Sequence, residues 1–195
     1  MTRHRELERK FDATPGTALP DLSAVVFAVG EPVLTLLRAT YFDTANAALA
    51  RASITLRRRT GGDDAGWHLK LPVAADERTE VRLPLGDQDA VPAALLDEVR
   101  AVVGDETLTP VAVLATERTE RRLLGDDGTV LAALADDTVR AERLIDGTAS
   151  SWREVEVELA DGDRAVLDAV GAALLAAGLT PSASSSKLAR VLGTP

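Results

Sequence analysis

The chain has no cysteine, and aromatic residues make up only 3% of it. The first absence removes disulfides and thiolate metal sites. The second leaves little with which to stack a nucleobase or a thiazole. Lysine is scarce too: Lys10, Lys70 and Lys187 are the only three among 22 basic residues. Where arginine is the default cation, a retained lysine marks a place that wants a compact ammonium rather than a planar fork. No uncharged apolar run reaches the ~18 residues of a membrane span. The charged start of the chain has no apolar segment behind it, so no signal peptide is expected, and a cytoplasmic protein is the default reading. There is no Walker-type glycine loop, which excludes a P-loop. His4 and His68 are the only histidines, and without an HExxH pattern a zinc hydrolase is disfavoured. A formal charge of −9 argues against a general nucleic-acid or anionic-membrane binder, though not against binding of a small polyanion.

What is present is a core-forming supply of Ala, Leu and Val. Hydrophobic residues make up 46% of the 195 residues, enough for one domain over 1–195. Strand-like alternation predicts strands over 4–12, 32–43, 53–60, 66–73, 77–85, 108–124, 129–143 and 152–159. Helices are expected over Pro20–Val29, Pro92–Val103, 164–177 and 185–192, with a helical turn at 45–51. About eight strands joined mostly by hairpins close most simply into an antiparallel barrel, which removes exposed edges. The fold class expected is therefore α+β: an eight-stranded antiparallel barrel, a tunnel, with helices packed outside.

Successive side chains of a strand point to opposite faces. One set of faces carries Glu6, Glu8 and Lys10; Arg57 and Arg59; His68 and Lys70; Arg78, Glu80 and Arg82; Arg118, Glu120 and Arg122; and Glu154, Glu156 and Glu158. On strand 129–143 either Asp136 or Asp137 joins them. The opposite faces carry Leu7, Leu56, Trp67, Leu69, Val81, Leu83, Val155 and Val157. A sheet with one solvated face alternates in this way as well. Two features point inward instead. Acids dominate the first and last strands and bases the middle ones, and the amphipathic helices need an apolar outer wall to sit on. The charged stripes then line an enclosed lumen, where buried charges require partners. Arginine and lysine suit phosphate oxygens, and carboxylates in threes suit Mg²⁺ or Mn²⁺.

The run Glu6-x-Glu8-x-Lys10 resembles the signature of the CYTH superfamily, the triphosphate tunnel metalloenzymes. So do Tyr41-Phe42-Asp43-Thr44, Leu56-Arg57-Arg58-Arg59, Trp67-His68-Leu69-Lys70, Arg78-Thr79-Glu80, Ala135-Asp136-Asp137-Thr138-Val139, Glu154-x-Glu156-x-Glu158 and Ser186-Lys187-Leu188, in family order along essentially the whole chain. The resemblance implies one or two Mg²⁺ or Mn²⁺ ions held by Glu6, Glu8, Glu80 and Glu156, with Glu154 or Glu158. Asp137 fits the family's penultimate-strand aspartate best, although alternation equally allows Asp136. It implies triphosphate binding by Lys10, Arg57, Arg59, Lys70, Arg78, Arg118 and Lys187, with Lys10, Glu8 and Arg57 closest to catalysis. His68 is read as a structural wall residue. The implied activity is metal-dependent hydrolysis of a triphosphate, with inorganic tripolyphosphate favoured. Alternatives are a non-catalytic polyphosphate-binding module, or a nucleotide or thiamine triphosphatase or adenylyl cyclase of the same superfamily. The second half also resembles CYTH domains fused to a helical CHAD domain, which makes a CHAD domain in a longer parent chain a candidate partner.

Overall fold

The computed structural model describes residues 1–86 and 90–194. Its strands are β1 (Thr2–Ala13), β2 (Ala28–Val29), β3 (Val33–Asp43), β4 (Thr55–Thr60), β5 (Gly66–Ala74), β6 (Glu77–Leu83), β7 (Thr109–Leu124), β8 (Val130–Arg143), β9 (Thr148–Leu159) and β10 (Thr180–Pro181). The helices are α1 (Ala48–Arg51), α2 (Ala93–Val103), α3 (Arg164–Ala176) and α4 (Lys187–Leu192). The eight long strands run in the order β1-β6-β5-β4-β3-β7-β8-β9, every pairing antiparallel. β1 closes the ring by pairing with β6 through Thr2–Leu7 and with β9 through Glu8–Ala13. The result is a closed barrel with no free edge along the wall among the described residues. The two short strands only extend it, β2 on the end of β7 and β10 on the end of β1.

Helices cover the outer wall, and this turns the charged stripes inward. α3 lays Leu167, Val170 and Leu174 on Phe11, Leu134, Val155 and Val157. α2 lays Leu95, Val99 and Val103 on Leu56, Trp67, Leu69 and Val81, together with Leu49 of α1. Asp163 starts α3 by accepting hydrogen bonds from the Ala165 and Val166 amides. Asp43 is fully buried and accepts from the Leu49 and Ala50 amides, which ties α1 to the end of β3.

α4 has a different place. Ser186 caps it, accepting from the Ala189 amide at 3.0 Å. Its Leu188 packs among Ala39, Tyr41, Ala112, Leu114, Val139 and Ala141. By strand parity these are lumen-facing positions at one end of β3, β7 and β8, so α4 stops up that end of the barrel.

Two expectations change. No helix forms over Pro20–Val29. A single turn, with Val25 and Val26 amides bonded to the Leu22 carbonyl, gives way to β2 on β7. Val25, Val26, Phe27 and Val29 are weak helix formers, and Leu22 and Val26 gain more by docking into the α3 cluster. The last long strand begins at Thr148 rather than Trp152, because the Asp146-Gly147 turn leads straight into pairing with β8. No helix among the described residues is long and apolar enough to cross a membrane.

Candidate functional site

Eight cationic and six acidic side chains line the lumen, and the cavity left between them is about 60 Å³. That is room for about two waters. The side chains therefore neutralise one another directly. Lys10 Nζ lies 3.0 Å from Glu8 and 2.6 Å from Glu156. Lys70 Nζ lies 2.6 Å from Glu6 and 3.8 Å from Glu8. Lys187 enters from α4 and meets Asp137 at 2.9 Å, Glu154 at 2.6 Å and Glu156 at 2.9 Å. Each retained lysine thus bridges at least two carboxylates, a task for a compact charge.

The arginines sit differently. Arg118 donates a fork to Asp137 and a further bond of 2.7 Å to Glu156. Arg57 donates to the Tyr41 hydroxyl at 3.2 Å. Arg78 donates to the Ser53 and Ser185 carbonyls at 3.1 and 3.0 Å, with its Nε 3.7 Å from Glu8. Arg59 is ion-paired with Asp64 of the β4–β5 turn. Arg82 reaches Glu80 and, at 3.5 Å, Glu6.

Protonation follows from these contacts. Burial would raise the Glu8 carboxyl, but Lys10 and Lys70 outweigh it and hold the group at about 2. Burial likewise opposes ionisation of Glu156, yet Lys10, Lys187 and Arg118 keep it well below the usual range. Burial opposes charge on Lys10 and Lys187 too, and their carboxylates raise both. Glu158 is different. Burial pushes it up to about 7, Lys70 opposing and Glu6, Glu8 and Glu156 reinforcing. Burial also pulls Arg59 down, to about 9, with Arg57 and Arg118 adding repulsion. Burial pushes the His68 ring down as well. Its geometry argues otherwise: Nδ1 faces Glu80 and Nε2 faces the Asp64 carbonyl, each at 2.8 Å. Two acceptors require two donors, so a proton stays within the His68–Glu80 pair.

The structure gathers the expected acids into groups instead of one nest. Glu6 and Glu80 stand with His4, and Asp137 stands with Glu154 and Glu156, the ligand atoms of each trio lying within 4.8 Å of one another. Glu8 lies between lysines, and its Cα partner in the ladder is Glu158. Register separates the two aspartates. Asp137 pairs across to Arg118 inside the barrel, while Asp136 points outward to Arg153 at 2.8 Å. His4 and Asp64 were missed. His4 shares the even face of β1 with Glu6, Glu8 and Lys10, a signal already present in the alternation. Asp64 lies in a turn, where alternation says nothing.

Divalent ions suit this donor set. The buried oxygens Glu6 Oε2, Glu8 Oε1 and Glu154 Oε1 accept no hydrogen bond, although Glu6 and Glu154 touch lysines. Hard carboxylate oxygens are what Mg²⁺ or Mn²⁺ takes.

The sequence pattern of the CYTH domain matches residues 4–191. The chain belongs to the CYTH domain family. This superfamily includes triphosphatases and adenylyl cyclases. Two uncharacterised proteins of Mycobacterium tuberculosis, from strains CDC 1551 and H37Rv, are each 47% identical to this CYTH chain over 98% of its length. The chain spans about 40% of the length of these curated relatives. Among solved structures, a candidate adenylate cyclase from Bacillus halodurans superposes with a TM-score of 0.68 at 21% identity, covering 97% of this chain and 98% of that one. A candidate adenylyl cyclase from Hippeastrum, described as having a dominant triphosphatase activity, gives 0.59 at 17% identity, over 98% and 96% of the two chains. At these identities the likeness is one of fold.

Proposed function

We propose that this CYTH barrel binds and hydrolyses a triphosphate, with inorganic tripolyphosphate as substrate and Mg²⁺ or Mn²⁺ as cofactor. The observation that carries the reading is the convergence of Lys10, Lys70, Lys187, Arg57, Arg59, Arg78 and Arg118 on one carboxylate-lined lumen, where Glu8 Oε1 accepts no hydrogen bond. Among the described residues that line the central cavity Tyr41 is the one aromatic, and Arg57 already engages its hydroxyl, so little supports a stacked base.

Glu6, Glu8 and Glu80, with Asp137, Glu154, Glu156 and Glu158 opposite, would hold the divalent ions, which supply charge neutralisation and a more acidic water. The protein's own part is binding and charge placement. Lys10 is a fixed cation rather than a proton donor, because Glu8 and Glu156 hold its proton. Arg118, Lys70, Lys187 and Arg78 grip non-bridging phosphate oxygens, each exchanging an internal carboxylate or carbonyl for the substrate. Arg57, with a neutral hydroxyl as its partner, gives up least to meet charge developing on a bridging oxygen. A CHAD domain in the remainder of a longer parent chain is the partner proposed for the whole protein.

The test is phosphate release from tripolyphosphate, ATP and thiamine triphosphate, each with Mg²⁺, Mn²⁺ or EDTA. Turnover of tripolyphosphate that EDTA abolishes is expected. Tight binding without turnover would make the barrel a binding module, and a cyclic product from ATP would make it a cyclase.

A further inference from the structure

The ion-paired lumen opens, at the end opposite α4, into a wider mouth of about 690 Å³. Arg59, Asp64 and Arg118 line both spaces and so form the neck between them. An anion entering from this mouth passes this neck. Arg59 is buried there at 4% exposure, with its guanidinium on the Asp64 carboxylate. Arg57 and Arg118 crowd it with like charge. Arg59 therefore needs an anion, and Asp64 supplies one from within the chain.

The backbone of Asp64 is held in place for this. Gly61 turns the β4–β5 loop at φ +81°, and a Cβ there would stand 2.1 Å from the Leu36 carbonyl oxygen. Only glycine lets the loop lie so close to β3. His68 then donates to the Asp64 carbonyl at 2.8 Å. The main chain is anchored at both points, while the Asp64 side chain stays 36% exposed toward the mouth. This is a fixed mount with a displaceable carboxylate.

We infer that Asp64 is an internal competitor for the phosphate that reaches the neck, holding Arg59 until the outer phosphate of a chain displaces it. The inference rests on the triphosphate reading of the lumen. It makes Asp64 a selector of length. A single phosphate held deep at Lys10 and Lys187 never meets it. A chain long enough to span from those lysines to Arg59 does, and must displace a carboxylate with its own charge. When such a chain is shortened, Asp64 retakes Arg59 and hastens departure of the outer fragment.

The experiment is titration calorimetry on the full chain in EDTA, with tripolyphosphate and with inorganic phosphate. Asp64→Asn is expected to bind tripolyphosphate about tenfold more tightly, the scale of one charged hydrogen bond, and phosphate no differently. In an Arg59→Gln background the gain should vanish. Equal tripolyphosphate affinities for wild type and Asp64→Asn, or the same gain without Arg59, would overturn the competitor role. A wild type that binds no tripolyphosphate either in EDTA or with added Mg²⁺ would instead bring down the triphosphate reading, and this inference with it. Because His68 grips the backbone carbonyl, the variant keeps its anchor; Asp64→Ser gives the same comparison should the amide perturb the turn.

Discussion

Arg118 grips Asp137 through two parallel hydrogen bonds of 2.8 and 2.7 Å across the β7–β8 ladder. Asp137 is fully buried, and the same guanidinium reaches Glu156. A lysine has no fork with which to do both. Arg118→Lys should cost about 1–3 kcal/mol of stability in chemical denaturation and weaken tripolyphosphate binding by at least about tenfold. A variant indistinguishable from wild type in both measurements would show the fork to be dispensable.

Lys187 is the ammonium at the centre of Asp137, Glu154 and Glu156. Lys187→Met leaves three buried carboxylates facing one another. A loss of about 3–5 kcal/mol is expected in EDTA. Added Mg²⁺ or Mn²⁺ should recover part of it, and thermal melts with and without the ion measure that recovery.

Glu8→Gln and Lys10→Ala should each lower turnover at least about 10²–10³-fold while circular dichroism stays that of the wild type. Both side chains sit in the lumen wall, not in the apolar layer that holds the helices, so fold and activity separate. Wild-type-like turnover by both variants would overturn the site.

The pH dependence has a definite sign. Glu158 is raised from its ordinary 4.5 to about 7 in the folded barrel. Its contribution is fully present below about 4.5, and stability falls as pH rises through about 7. Glu8, held at about 2, acts oppositely and loses its contribution only as pH falls from about 4.5 toward that value. In EDTA, Glu158→Gln should flatten the fall between pH 5 and 8, gaining of order 2 kcal/mol over wild type at the upper end. Denaturation midpoints across that range decide it.

Leu188 is fully buried where α4 meets the barrel. Leu188→Ala should cost about 2–5 kcal/mol, read by denaturation, as a large-to-small change in packed surroundings does.

Much of this was legible in the sequence because the relevant signals are local. The alternation of Glu6, Glu8 and Lys10 against Leu7 fixed a face, and the helices around α2 and α3 supplied the covering that makes that face internal. Asp136 and Asp137 could not be separated in the same way, since their choice depends on which residue lies across the ladder. Arg118 opposite Asp137 decides it. The helix expected at Pro20–Val29 failed because its hydrophobic spacing is served equally by a turn docked on α3 and a short strand on β7. The position of α4 across the barrel end is set by non-local packing that six residues do not announce, and Asp64 becomes visible only once the turn is folded against Arg59.

With α4 seated in one end, the barrel is a cul-de-sac. A polyanion entering from the Arg59 mouth meets α4 along the barrel axis instead of an exit, and so offers a terminus to the interior. Under the triphosphate reading, cleavage of a chain held that way would trim it from the tip.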